Sequence, residues 1–141
     1  NTIEKIVYSD NYLIKQYNEP FSENALKTLI KKLKIRHSDI VFIQATIESG
    51  HFNSPVFHEN NNLFGMRLPG GRVTTATGEN LKHAVFKNWK DCIKDRMIYE
   101  ALYLHKLNKE QYYAYLDKVY ARSGGVSYSD LIKYIIRQKN L

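Results

Sequence analysis

Glu48 is the residue of this chain best placed to act as an acid. It ends an apolar run that begins at Ile40, and Ser49 and Gly50 follow at once. In the last turn of a helix a carboxyl meets the negative end of the helix dipole, and apolar surroundings desolvate it. Both effects disfavour the carboxylate and are expected to raise its pKa. A carboxylic acid held protonated near neutral pH can protonate a leaving oxygen, which is the need in glycoside hydrolysis. Position alone equally describes a surface glutamate at a helix end. The next segment is polar, contains Asn60, Asn61 and Asn62 in succession, and closes on Asn62-Leu63-Phe64-Gly65.

Other reactive residue types offer less. The five histidines, His37, His51, His58, His83 and His105, contain no HExxH or other tight ligand spacing, so no metal site is expected. His51 and His58 could line a cleft and hydrogen-bond hydroxyl groups, or be surface and packing residues. The single cysteine, Cys92, excludes an internal disulfide and reads as a buried, inert thiol. Gly70-Gly71 and Gly124-Gly125 are turn glycines, and no phosphate-binding glycine loop is present. No cofactor is expected.

The elements that must position Glu48 follow from periodicity and caps. Ser22 is a plausible N-cap, Glu23 suits a first turn, and Leu26, Leu29, Ile30 and Leu33 recur at helical spacing, predicting a helix over 22–34. Ser38 starts the next helix. Ile40, Val41, Phe42, Ile43, Ala45 and Ile47 leave it little polar surface, so it is expected at the centre of the fold, with Gly50 as its stop. Residues 52–63 show no periodicity and read as a loop. Pro69-Gly70-Gly71 is a turn, and the β-branched and aromatic content of 72–77 and 82–87 predicts a small hairpin around a turn at Gly78-Glu79-Asn80. A long helix starts near Asn88, another runs from the capping-box pair Asn108 and Gln111 to about Arg122, and Ser127 or Ser129 caps a last one.

Composition fits one soluble globular domain. The chain has 141 residues, 43% hydrophobic and 25% charged, without repeats or low-complexity tracts. No run approaches the roughly 18 apolar residues of a membrane span. Residue 1 is Asn and not Met, so a processed or trimmed chain is expected; the sequence neither supports nor excludes a removed export signal. The net charge of +7 favours an anionic partner, although the lysines are scattered over several helices. No recognition-helix pattern, aromatic RNA-binding motif or basic block points to nucleic acid. The 11 tyrosines suit sugar or base stacking and are equally common in cores.

The order Glu48-Ser49-Gly50, Asn61-Asn62-Leu63-Phe64-Gly65, a hairpin, then Phe86 and Trp89 leading into a helix resembles the peptidoglycan glucosaminidases of glycoside hydrolase family 73. The resemblance runs from about Asp39 to the C-terminus. It implies a mainly α (α+β), lysozyme-like helical domain with a small inserted β-hairpin lobe, here one domain over 1–141 with a lead-in at 1–21 and the lobe at 67–88. Carried over by position, Glu48 matches the catalytic acid. Tyr120, followed by Ala121, matches the active-site tyrosine, whose hydroxyl could orient the acetamido group or the attacking water. Asn62 and Phe64 match the turn that shapes the cleft floor, and Tyr128 and His51 are counted with the substrate-binding residues.

Several positions depart from that pattern. His51 and Phe52 stand where many relatives have Trp and Gly. Arg122 and Ser123 replace Thr and Asp, with extra residues before Tyr128. Relatives often carry a second glutamate after a pair of threonines; here Thr74-Thr75 is followed by Ala76. Glu79, in the expected turn, is the nearest substitute, and Glu59 is the other candidate. Carboxyls about 5–5.5 Å apart imply retention and about 6.5–9.5 Å inversion, while without a second carboxylate the substrate's 2-acetamido oxygen could serve. The expected function is an endo-β-N-acetylglucosaminidase acting on peptidoglycan glycan strands. The alternatives are a muramidase, a lytic transglycosylase, or a non-catalytic or nucleic-acid-binding helical domain. A monomer is expected, working in the bacterial cell envelope, periplasmic or secreted, or as a phage virion or lysis product.

Overall fold

The computed structural model describes residues 17–120 and 125–141. Most of the expected lead-in, residues 1–16, and the positions of Arg122 and Ser123 lie outside them. The architecture is mainly helical with one small antiparallel hairpin. The order is α1 (Glu23–Lys32), α2 (Ser38–Glu48), α3 (Pro55–Asn60), β1 (Gly78–Asn80), β2 (His83–Val85), α4 (Trp89–Tyr103), α5 (Lys109–Val119) and α6 (Tyr128–Lys139).

Helix α2 is the centre. Every residue from Ile40 to Thr46 is buried, the expected result for a helix that is apolar on all sides. It packs against α1 and α6, and α6 in turn packs on α5. Helix α1 begins where Ser22 accepts from the Ala25 amide, and α5 carries the full capping box between Asn108 and Gln111. Both starts were legible because a cap is a local hydrogen bond. Of the two candidate caps for α6, Ser127 accepts from the Asp130 amide at 3.1 Å. Ser129 bonds Asp117 instead, through its amide at 2.8 Å and its hydroxyl at 2.7 Å. Among the described residues no helix is long and apolar enough to cross a membrane.

Several expectations are corrected. Residues 55–60 form helix α3 and not loop: Ser54 accepts from the Phe57 amide at 3.1 Å and Pro55 occupies the first turn. A serine cap before an N-terminal proline favours a helix start, but six residues are too few to show a period. The hairpin also has a different register. Residues 78–80 are strand and not turn, with Gly78 opposite Val85, Glu79 opposite Ala84 and Asn80 opposite His83. The turn is Leu81-Lys82, both at positive φ (54° and 62°), a geometry whose twist suits a two-residue hairpin loop. The expected strand at 72–77 is not one, because Thr74 and Thr75 bond helix α4 instead. Helix α5 runs to Val119, with Tyr120 as its C-cap, and Arg122, the end expected for it, lies outside the described residues.

Phe21 holds the described part of the lead-in to the body. Its ring lies 4.8 Å from Phe57, 5.2 Å from Phe52 and 5.5 Å from Trp89, centroid to centroid. The Trp89 indole N–H also donates to the Glu19 carbonyl at 2.9 Å.

Candidate active site

Glu48 is the last residue of α2 and is half-buried. The helix stops because Gly50 takes φ +59°, and His51 and Phe52 continue at positive φ, turning the chain sharply away. The Ser49 hydroxyl accepts from the Phe52 amide at 2.9 Å and fixes that turn.

Two tyrosines stand beside the carboxylate. The Tyr128 hydroxyl donates to Glu48 Oε1 at 2.9 Å. The Tyr120 ring stacks on that of Tyr128, with centroids 4.7 Å apart and planes 16° from parallel. Burial, then the Glu48 charge, raises both phenols; Tyr120 is pushed up to about 12, and Tyr128 is raised further, with its hydrogen bond to Glu48 adding to the effect. Both therefore keep their protons across the working pH range and act as neutral hydroxyls. Tyr128 is almost fully buried, so it faces the carboxylate and not open solvent.

The second oxygen, Oε2, faces Gly65. A Cβ built on Gly65 would lie 3.7 Å from it, and Gly65 sits at φ +63°. The Asn62 side chain holds this turn in place. Its amide nitrogen donates to the carbonyls of Met66 (2.8 Å) and Ala84 (2.9 Å), and its carbonyl accepts from the amides of Phe64 (3.2 Å) and Met66 (3.1 Å). These bonds engage both ends of the amide in holding the loop, so Asn62 is scaffold. Its neighbours do similar work: Asn60 donates to the Asn80 carbonyl at 2.8 Å, and Asn61 to the Phe86 carbonyl at 3.0 Å. The asparagine run thus clamps the hairpin to the helical body.

A cavity of about 740 Å³ opens beside Gly65 and Tyr120, with Phe64, Tyr99, Tyr103 and Tyr115 on its walls. Its volume lies within the roughly 300–1,000 Å³ of small-molecule sites. Phe64 is buried and packs near the guanidinium of Arg96, 5.8 Å from its ring centroid. The hydroxyls of Tyr99 and Tyr115 hydrogen-bond to each other.

The remaining predicted residues are exposed or in the core. Glu79 is exposed on β1. Glu59 is exposed and accepts from Asn80 at 3.4 Å. His51 and His58 are exposed. Cys92 is fully buried and accepts from the Leu63 amide at 3.3 Å, and burial pushes its thiol up to about 12.

Sequence reasoning missed the polar residues of α4. Asp95, wholly buried, accepts from Arg72 at 3.0 and 2.8 Å, from the Thr74 hydroxyl at 2.6 Å and from the Thr75 amide at 3.0 Å. Burial alone would raise its pKa, but Arg72, Thr74 and the Thr75 amide outweigh it and hold the carboxyl below its ordinary value. This cluster ties the 72–76 segment to the helix. Arg96 donates through Nη2 to Tyr112 and, at 3.4 Å, to Gln44. No sequence signal singled them out, because α4 carries six charged residues, Lys90, Asp91, Lys94, Asp95, Arg96 and Glu100.

Protein bax of Escherichia coli (strain K12) is 33% identical over 85 residues, a match covering 57% of this chain and 31% of that protein. The chain therefore spans about a third of that relative's length. No solved structure matches. The family model for glucosaminidase, described as mannosyl-glycoprotein endo-beta-N-acetylglucosaminidase, matches residues 23–141, from the first described helix through the carboxylate and its tyrosines to the last residue, and the chain belongs to that family.

Proposed function

We propose that this domain is a peptidoglycan hydrolase, an endo-β-N-acetylglucosaminidase cleaving the β-1,4 glycan backbone, with Glu48 as general acid. The supporting observation is the Tyr128 hydroxyl on Glu48 Oε1 at 2.9 Å, together with the approach of Oε2 to Gly65, a residue of the cavity wall. In this reading Oε2 carries the proton to the glycosidic oxygen, while Tyr128 keeps the carboxyl in one orientation. A tyrosine hydroxyl donates to a carboxylate and accepts from a carboxylic acid, so it serves both protonation states. Tyr120, a neutral hydroxyl on the cavity wall, orients the acetamido group or a water. The tyrosine and phenylalanine faces suit the apolar faces of sugar rings. His51, exposed just past the helix stop, is available to sugar hydroxyls.

The second role goes to the substrate's own 2-acetamido oxygen, which attacks the anomeric carbon as Oε2 releases its proton. Water then opens the intermediate with Glu48 as base, and the configuration is retained. Glu79 is the alternative partner. It is exposed on a hairpin clamped by Asn60 and Asn62, which argues against a swing over the glycan. All the named groups come from one chain, so a monomer suffices. The substrate places the work outside the cytoplasm, in a bacterial envelope or in phage-driven lysis. Nucleic acid is not part of this reading.

The test is digestion of purified peptidoglycan, borohydride reduction and mass spectrometry of the fragments. Reduced N-acetylglucosamine ends are the expected result. Reduced N-acetylmuramic acid ends would make the enzyme a muramidase, and anhydro-muramic ends a lytic transglycosylase.

A further inference from the structure

Behind the contact between Tyr128 and Glu48 lies a row of polar side chains that the hydrolytic reading does not use. Gln44, Tyr112, Arg96 and Tyr128 are all buried, and they come from four helices, α2, α5, α4 and α6. Arg96 donates through Nη2 to the Tyr112 hydroxyl and, at 3.4 Å, to Gln44 Oε1. The Tyr112 hydroxyl donates to the same Gln44 oxygen at 3.1 Å. Gln44 in turn hydrogen-bonds the Tyr128 hydroxyl in the sense that favours the phenolate, which only a donated N–H does. Tyr128 then donates to Glu48 Oε1 at 2.9 Å. Gln44 itself lies one turn before Glu48 on α2.

The direction of this row is dictated by its far end. A guanidinium has donors and no acceptor, so the Gln44 oxygen must face Arg96 and Tyr112, and its amide nitrogen must face Tyr128. With an N–H aimed at its oxygen, the Tyr128 hydroxyl points its proton at Glu48. Of the two roles open to a tyrosine hydroxyl beside a carboxyl group, the row selects donation. Hydrogen bonds in such a chain polarise one another in a low-dielectric interior. We propose that Gln44, backed by Arg96 and Tyr112, is a positioning residue for Glu48, locking the Tyr128 hydroxyl as a donor to Oε1. This deepens the hydrolytic reading above and rests on it for the role of Glu48 as an acid. A locked donor favours the carboxylate and offsets the helix-end dipole and burial that disfavour it, so one residue can serve first as acid and then as base. The other groups around the carboxylate do not oppose this. Tyr120, at the end of α5, feels the Glu48 charge as a neutral phenol, and the Arg96 charge reaches it too. Tyr99 of α4 and Tyr115 of α5 hydrogen-bond to each other, and His51 is exposed. Glu100, one turn beyond Arg96 on α4, is raised by burial against the pull of Arg96 and Arg36. The lock is indifferent to its state, because the Arg96 guanidinium donates in either case.

The test is a carbon NMR titration of the Glu48 side-chain carboxyl in the protein without substrate, its signal identified by its loss in Glu48→Gln. Gln44→Met keeps the length of the side chain and removes both its donor and its acceptor. Tyr112→Phe removes a single oxygen from the row. Gln44→Met is expected to raise the Glu48 midpoint by about one pH unit, the scale of one hydrogen bond to a charged group, and Tyr112→Phe to raise it by less. Ile43→Val, a buried change on α2 outside the row, loosens the core and should leave the midpoint in place. If Gln44→Met fails to fold, the smaller Tyr112→Phe change decides. A midpoint unmoved or lowered in the folded variants, or moved as far by Ile43→Val, would overturn the positioning role. Because no bond is cleaved, a raised midpoint in a protein without muralytic activity would reject the hydrolytic reading and leave the row standing. An unmoved midpoint alongside hydrolysis would do the reverse.

Discussion

The hydroxyl of Tyr128, the first residue of α6, donates to Oε1 of Glu48, the last residue of α2, at 2.9 Å. The contact couples the two groups in both directions. The carboxylate charge raises the phenol, and the donated hydrogen bond stabilises the ionised carboxylate. Oε2 lies on the other side, toward Gly65.

Tyr128→Phe keeps the ring and removes the donor. We expect kcat to fall by about ten- to a hundredfold, part of the 10²–10⁴ that a positioned acid supplies. KM should change little because Tyr128 is buried. Stability should drop by only about 1 kcal/mol. A kcat equal to that of the unaltered enzyme would show that Tyr128 only packs.

Gly65→Ala tests the close approach on the other side. The residue adopts φ +63°, and a new methyl would sit 3.7 Å from Oε2. The left-handed conformation should cost about 1 kcal/mol in stability. Activity should fall more than that cost implies, since the methyl occupies the approach to the proton-donating oxygen. Melting temperature and turnover on the same sample check this.

Asp95→Asn strands Arg72 and releases the 72–76 segment. Breaking a buried pair of this kind costs about 3–5 kcal/mol, readable as a shift in the urea midpoint. The folded-state pKa of Asp95 lies below its ordinary 3.8. Its contribution to stability is therefore present above pH 3.8 and is lost as the pH falls through the folded value. The gap between the unaltered protein and the variant should be widest near neutrality and narrow in acid. A gap independent of pH would contradict the electrostatic origin.

Much of this arrangement was legible from local signals. An apolar run ending in Glu48-Ser49-Gly50 announced a central helix with an acid at its tip, and Gly50 does terminate it at positive φ. The Asn108 and Gln111 capping box needed only four residues to be read. The hairpin register was not legible, because β-branched Thr74 and Thr75 favour a strand while their hydroxyls serve Asp95 and the Asp91 carbonyl. Nor was the role of Tyr128, counted at first among substrate-binding residues, since its partner lies 80 positions away. Contacts of that range depend on how α2, α5 and α6 pack, and no local pattern encodes them. The buried charge of Arg96 was hidden for the same reason.

Glu79→Gln separates two routes to hydrolysis. An acetamido-assisted reaction should lose less than about tenfold in kcat, whereas a catalytic base or nucleophile at Glu79 would cost about 10²–10⁴. The first outcome is expected, with the new reducing end released in the retained configuration, as NMR of the nascent product reports.

The most direct measurement is turnover of purified peptidoglycan by Glu48→Gln. Glutamine keeps the acceptor for Tyr128 and nearly the same volume, so thermal unfolding should match that of the unaltered protein. Product release should fall by about 10²–10⁴-fold, the loss expected for removal of a general acid. Turnover at the unaltered rate by the folded variant would contradict the assignment of Glu48 and, with it, the proposed site.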